Sequence, residues 1–155
     1  SFLDREEVQG LFQEFTDFGY VVYVDWIVDP HLDRSNVTKE SATLVRKRMK
    51  YSKSLLLAIS INASMSKWIP WELGYVDGNM NRCAIIPVSK EKIPPKSFKG
   101  KEYLSLYPFI KKLPLKGTRE DKLWVIESGN SYSQFESWFT DGIIKENRKV
   151  NIYNI

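Results

Sequence analysis

One carboxylate stands among bulky apolar side chains in the stretch SKWIPWELG, residues 66–74. Glu72 follows Trp68, Pro70 and Trp71. An ionised carboxylate is costly to place among apolar rings unless its charge is compensated. Two interpretations follow from the local pattern. Glu72 is either an acidic residue in the first turn of a helix, where the macrodipole favours it, or a carboxylate positioned for chemistry.

The residue types that most catalytic sites need are scarce in the rest of the 155 residues. One His (His31) and one Cys (Cys83) exclude a zinc site built from several such ligands and a Cys–His catalytic pair, so no metal site is predicted. A single Cys cannot form an internal disulfide, which fits a reducing cytoplasm.

Composition narrows the possible partners. The net charge of +4 is mild, and the basic residues do not form an Arg-rich stripe, so no nucleic-acid partner is predicted. No apolar run approaches the roughly 20 residues that cross a bilayer, so no membrane partner is predicted either. Hydrophobic residues make up 43% of the chain and charged residues 27%, which is typical of a globular domain.

The elements that must position Glu72 are indicated by the spacing of apolar residues. Apolar residues at helical spacing predict three helices, over Asp4–Phe18, Thr38–Tyr51 and Tyr132–Ile144. A further helix is expected to start near Pro70, since proline is tolerated in a first turn. Short β-branched, aromatic or continuous apolar runs predict strands, over Tyr20–Trp26, Ser54–Ser60, Arg82–Val88 and Leu123–Glu127. Residues 89–122 are predicted to be irregular, with a short strand near Tyr103–Leu106.

The alternation of strands and helices predicts an α/β domain with a mostly parallel central sheet flanked by helices. In such sheets ligands bind beyond the carboxyl ends of the strands. Three segments converge on that edge, namely those following Trp26, Ser60 and Val88. Glu72 lies in the second of them, so its location favours a functional site.

A longer series around Glu72 resembles a known family. In plant Toll/interleukin-1 receptor (TIR) domains, a strand ending in Ser is followed by Asn, Ser, Trp and, four residues later, a Glu-Leu pair. The stretch LAISINASMSKWIPWEL, residues 57–73, matches this series with Ser60, Asn62, Ser66, Trp68, Glu72 and Leu73. The W-x-x-x-E spacing from Trp68 to Glu72 is common in bacterial members. YVVYVDW, the LDR at Leu32–Arg34 and ELGYVDG also resemble the family.

The resemblance implies a single flavodoxin-like TIR domain over residues 1–155 that cleaves NAD⁺ at the nicotinamide–ribose bond. It implies Glu72 as the catalytic residue, NAD⁺ as substrate with no further cofactor, and a role in bacterial immune signalling such as the Thoeris antiphage systems. The product is ADP-ribose or a cyclic isomer, depending on whether water or the substrate's own adenine captures the ribose.

Five further residues are predicted to bind the substrate, each with a structural alternative. Trp68 forms a pocket wall or packs in the core, and Trp26 stacks on a nicotinamide or adenine ring or is simply buried. Arg34 contacts the diphosphate or is a solvated loop charge. Ser60 and Asn62 contact the substrate or cap the turn before the helix.

The chain departs from the family pattern at its start, since Ser1–Asp4 lies about where the first TIR strand would finish. We therefore expect that strand to come from a further N-terminal extension or from elsewhere. Ser35 replaces the Gly of many BB loops. The competing hypothesis is a non-catalytic scaffold that self-associates through the BB loop, Ile27–Asn36; homo-oligomers are expected in either case. A flavodoxin-like nucleotide or receiver module is the third alternative.

Overall fold

The computed structural model describes residues 5–31, 38–59, 69–88 and 102–145, without the side chains of residues 102 and 103. In chain order, the elements of these ranges are α1 (Arg5–Asp17), α2 (Asp25–Val28), α3 (Lys39–Tyr51), β1 (Leu55–Ile59), α4 (Ile69–Met80), β2 (Cys83–Pro87), a 3₁₀ helix (Glu102–Leu106), β3 (Phe109–Pro114), β4 (Asp121–Ser128), β5 (Ser131–Gln134) and α5 (Phe135–Asp141). Among the described helices, none has the length and apolar character needed to cross a membrane.

The sheet has five strands in the order β1-β2-β3-β4-β5. β1, β2 and β3 are parallel, whereas β4 runs antiparallel to both of its neighbours, so four of the five strands share one direction. Helices pack on the sheet, and the predicted α/β, flavodoxin-like architecture is confirmed. Within the described residues, β1 forms one edge of the sheet.

Helices cover both faces of the parallel strands β1 and β2. Successive side chains of a strand point to opposite faces, so alternate residues enter two different cores. On one face, Leu57 and Ile59 of β1 pack with Ile85 of β2 and with α3 and α4. On the other face, Leu56 and Ala58 pack against a second core that contains α1 and α5. Burial on both sides thus explains the continuous apolar runs of β1 and β2.

An aromatic cluster joins the segment after α1 to α5. The Tyr20 ring lies edge-on to Phe135 and Phe139, with centroids 5.1 and 5.2 Å away, and Phe15 contacts Phe135 at 5.2 Å. α1 ends at Asp17, and the chain turns at Gly19, whose φ of 86° is the left-handed conformation that glycine adopts readily. This turn directs Tyr20 back against α5.

The predicted strand Tyr20–Trp26 is wrong. Residues 20–24 belong to no regular element, and Asp25–Val28 forms the one-turn helix α2, in which the N–H of Asp29 donates to the carbonyl of Asp25 at 2.7 Å. A strand requires a backbone partner, and β propensity mainly reflects packing on a pleated surface. The Tyr20 ring instead packs in the aromatic cluster and Val21 is fully exposed, so tertiary contacts override the local preference.

Three predictions after residue 100 also need correction. Tyr103–Leu106 belongs to the 3₁₀ helix rather than to a strand, and β3 lies inside the segment predicted to be irregular. The first part of the predicted helix Tyr132–Ile144 is β5, and the helix is confined to α5. The strands β3 and β5 form by pairing with both sides of β4, which local sequence does not reveal.

Candidate active site

The carboxyl ends of β1 and β2 meet at one edge of the sheet. Ile59 is in register with Pro87, and the N–H of Val88 donates to the Ile59 carbonyl at 2.8 Å. α4 ends at Met80, and β2 begins three residues later at the opposite edge. A 12-residue helix is about 18 Å long and a five-residue strand about 16 Å, so α4 spans the sheet. The N-terminus of α4 therefore lies towards the carboxyl edge, where a ligand site is expected.

Glu72 lies in the first turn of α4 and is buried, with 8% of its surface exposed. The next residue, Leu73, and Val76 one turn further on belong to the core between the sheet and the helices α3 and α4. Ile69 and Pro70 begin the helix as predicted. An acidic side chain here is stabilised by the helix macrodipole, which offsets part of the cost of its burial.

Trp71 has a packing role. Its ring is partly buried against the same core and lies 6.4 Å from the ring of Tyr75. The guanidinium carbon of Arg46, on α3, is 5.8 Å from the indole centroid, within the range of a cation–π contact. A positive charge on α3 thus lies against the residue next to Glu72.

Trp26 lies in α2 and is partly exposed. The guanidinium carbon of Arg5, at the start of α1, lies 5.2 Å from its ring centroid. A partly exposed indole of this kind retains surface for a planar ligand ring, while Arg5 provides a structural contact. Both interpretations made from the sequence therefore remain, and binding through Trp26 stays a prediction.

An ion pair not predicted from the sequence fixes the end of α2. Nη2 and Nε of Arg48 donate to the two carboxylate oxygens of Asp29 at 2.8 and 3.0 Å. These bonds hold the pKa of Asp29 below its usual value, while burial, followed by the nearby Asp29 carboxylate, raises the pKa of the Tyr23 hydroxyl. Both carboxylate oxygens of Asp29 are therefore engaged by Arg48.

The sequence carries little signal for this pair. Its residues are 19 positions apart and belong to different elements. The helix dipole alone is sufficient to account for basic residues at the end of α3, so their type does not indicate a distant partner. The local hint was limited to a charged residue, Asp29, directly before Pro30 in a turn-rich segment.

Four predicted substrate-binding residues, Trp68, Arg34, Ser60 and Asn62, lie outside the described residues. Their roles stay predictions. His31 is exposed, and Cys83 is a buried core residue.

No family model matches the chain. A protein of Bacillus cereus (strain MSX-D12) described as "Probable 3′ cyclic ADP-D-ribose synthase ThsB′" is 45% identical over 138 residues, which are 89% of this chain and 71% of that protein. The chain belongs to the ThsB′ family of bacterial TIR antiphage-defence proteins. The resemblance carried by the series from Ser60 to Leu73 is thereby confirmed, and in this ThsB′-family chain the glutamate of that series is the buried Glu72.

Proposed function

We propose that this chain cleaves NAD⁺ at the nicotinamide–ribose bond and joins the freed ribose carbon to another group of the same molecule. The products are nicotinamide and a cyclic ADP-ribose isomer, which serves as a messenger in antiphage defence. The observation that carries the proposal is the buried Glu72 at the carboxyl edge of the sheet, in a chain 45% identical to a protein named as a cyclic ADP-ribose synthase. We place this activity in the cytoplasm, where a lone thiol stays reduced.

One carboxylate is sufficient for this chemistry. Most glycoside hydrolases use two, because one must protonate an alkoxide leaving group. The nicotinamide of NAD⁺ is cationic while it is bonded to ribose and leaves as a neutral molecule with the bonding electron pair. No general acid is therefore needed, which agrees with the scarcity of His and Cys in the chain.

The proposed role of Glu72 is electrostatic. Positive charge develops on the ribose as the C–N bond lengthens, and a fixed carboxylate stabilises it most strongly where water is excluded. The burial of Glu72 within an otherwise apolar helical turn provides such a setting. Glu72 also holds the ribose hydroxyls and accepts the proton that the attacking hydroxyl loses when the new bond forms.

The relative is described as a 3′ cyclic ADP-D-ribose synthase, and this numbering favours attack on the freed ribose carbon by a ribose hydroxyl. In that case the 3′-oxygen of the adenosine ribose bonds to the anomeric carbon of the other ribose as nicotinamide leaves. The product is one water lighter than ADP-ribose, so mass spectrometry separates cyclisation from hydrolysis. Carbon–proton correlation spectra of the purified product then locate the new bond.

The test is nicotinamide release by the purified protein, comparing wild type with Glu72→Gln and Glu40→Gln. Glu40 is the matched control, because it is also an acidic residue in a first helical turn but is exposed. We expect Glu72→Gln to lower the rate by at least about a hundredfold, the scale of losing one transition-state charge contact, and Glu40→Gln to leave it unchanged. Equal rates for wild type and Glu72→Gln would refute the catalytic role.

We further propose that the active form is a homo-oligomer. Turnover per chain is expected to rise with protein concentration, and light scattering on the same samples checks the association. A turnover per chain that stays constant while the protein remains monomeric would contradict this.

A further inference from the structure

Helix α3 contacts two other helices through two arginines. Arg46 lies against the Trp71 ring on α4, and Arg48 binds Asp29 at the end of α2. Residues two apart on an α-helix point about 200° away from each other, so the two side chains leave α3 in nearly opposite directions. α3 is therefore a common support for the helix that carries Glu72 and the helix that carries Trp26.

The contact between Arg48 and Asp29 is better defined in geometry than an ordinary surface ion pair, although the Arg48 side chain is 41% exposed. It is bidentate, with both bonds at 3.0 Å or less, and the Asp29 side chain is only 18% exposed. The Arg48 guanidinium carbon also lies 5.2 Å from the centroid of the Tyr23 ring. The planar Arg48 guanidinium is bound by two carboxylate oxygens and lies over an aromatic ring. It therefore fixes the orientation of Asp29 as well as its distance.

This contact is one anchor of α2. α2 has four residues, and a helix of one turn has no stability of its own in water. Asp29 is its C-terminal cap, and α2 has no side-chain hydrogen bond at its N-terminal cap. Trp26, three residues before Asp29, is thus held by Arg48 at one end of α2 and by the Arg5 contact on its ring.

We propose that Arg48 is a positioning residue for substrate binding. By fixing Asp29 it orients α2, and with it Trp26, relative to the α3–α4 pair that carries Glu72. This inference rests on the proposed function. Glu72 is held independently, since Leu73 and Val76 anchor α4 in the core. Loss of the ion pair therefore weakens NAD⁺ binding and leaves the chemical step intact.

The experiment measures KM and kcat for NAD⁺ in Arg48→Gln, Asp29→Asn, the double variant and the control Lys47→Gln. Lys47 is exposed on the same helix, so its loss removes an equal charge and accounts for general attraction of the substrate diphosphate. We expect KM to rise about tenfold in each single variant, with kcat within about twofold. The double variant should be no worse than either single one, because both remove the same contact.

An Arg48→Lys variant separates geometry from charge. Lysine keeps the positive charge but cannot form the bidentate contact with Asp29, so the KM for NAD⁺ is expected to rise in this variant too. Thermal unfolding of every variant accompanies the kinetics. A loss of stability with an unchanged KM would show a purely structural role and overturn the proposal, as would equal KM values for Arg48→Gln and Lys47→Gln.

Binding is also measured by calorimetry in the Glu72→Gln background. Weaker binding in Glu72→Gln/Arg48→Gln than in Glu72→Gln alone supports the positioning role, and equal binding overturns it. A wild-type protein that binds NAD⁺ without cleaving it refutes the proposed function only. A protein that neither binds nor cleaves NAD⁺ refutes both.

Discussion

Trp71 and Glu72 are adjacent in the chain but meet different surroundings. The Trp71 ring lies 5.8 Å from the guanidinium carbon of Arg46, on the face of α4 that meets α3, whereas Glu72 is buried at the start of the same helix. One helical turn thus contains both an anchor to the neighbouring helix and the proposed catalytic group. Substitution of Trp71 should therefore mainly lower stability, and substitution of Glu72 should mainly lower activity.

Trp71→Leu is expected to lower the free energy of unfolding by about 1–3 kcal/mol, because it removes the ring packed against Arg46 and Tyr75. Trp71→Phe keeps an aromatic face and should cost less. Urea unfolding measures both changes, and nicotinamide release per folded chain should stay within a few-fold of wild type. A Trp71→Phe protein that folds normally but is inactive would show that Trp71 takes part in catalysis.

Gly142→Ala is expected to destabilise the protein by about 1–2 kcal/mol. Gly142 ends α5 with a φ of 76°, and an added Cβ would lie 3.1 Å from Nε of Arg82. Gly78→Ala is the matched control, since Gly78 lies in α4 with open space around it and should stabilise the helix by up to about 1 kcal/mol. Thermal melting should therefore shift in opposite directions for the two variants, and a shift in the same direction would contradict the account of Gly142.

The ion pair between Arg48 and Asp29 predicts a stability difference that depends on pH. Its hydrogen bonds lower the pKa of Asp29 in the folded state, so the stabilisation is fully present above the unfolded pKa of about 3.9. It is lost as the pH falls through the lower folded value. Asp29→Asn should thus be less stable than wild type by a constant amount from pH 5 to 8, with the gap closing in acid.

Urea titrations at several pH values measure this gap. Asp17→Asn serves as the control, because Asp17 is exposed and contacts only the Gln13 side chain among its described hydrogen bonds. A gap for Asp29→Asn that widened below pH 4 would contradict a lowered pKa of Asp29 in the folded protein.

The Cys83 thiol is expected to resist thiol reagents in the folded protein. Burial, with a smaller contribution from the charge of Asp77, raises the pKa of Cys83 to about 12, and the thiolate is the reactive form. At pH 8 a disulfide exchange reagent should label the native chain very slowly and label one thiol per chain in urea. Rapid labelling without urea would show that the core around β2 opens readily.

The same raised pKa predicts alkaline destabilisation. The folded state retains the thiol proton as the pH rises above the unfolded pKa of about 8.5, so stability falls with pH from there. Cys83→Ala removes this contribution and should lose less stability than wild type between pH 8 and 10.

The elements that the sequence predicted correctly are those defined by local chemistry. Thr38 caps α3 through a reciprocal bond with Ser41, the chain turns at Gly19 after α1, and the buried runs became β1 and β2. The missed elements depend on distant partners. FIKKLP becomes β3 because β2 and β4 lie on either side of it, whereas YVVYVDW has strong β propensity and forms no strand.

The candidate site also contains some features that local sequence predicts and others that it does not. The position of Glu72 followed from the alternation of strands and helices, and its placement at the start of a helix followed from Pro70. The contact between Arg48 and Asp29 joins residues that no local pattern connects, and the same is true of Arg46 and Trp71. Charged side chains on a helix reveal which face is polar but not which distant group each one binds.

The aromatic cluster constrains the order in which the protein folds during synthesis. Phe15 and Tyr20 precede every strand that the structure describes, while Phe135 and Phe139 follow the last of these strands. The face of the sheet that α1 covers cannot be completed until α5 has left the ribosome. Closure of so long a loop is slow, and apolar surface stays exposed while it is pending. A nascent chain released before α5 should therefore aggregate, although it already contains Glu72 and the parallel strands β1, β2 and β3.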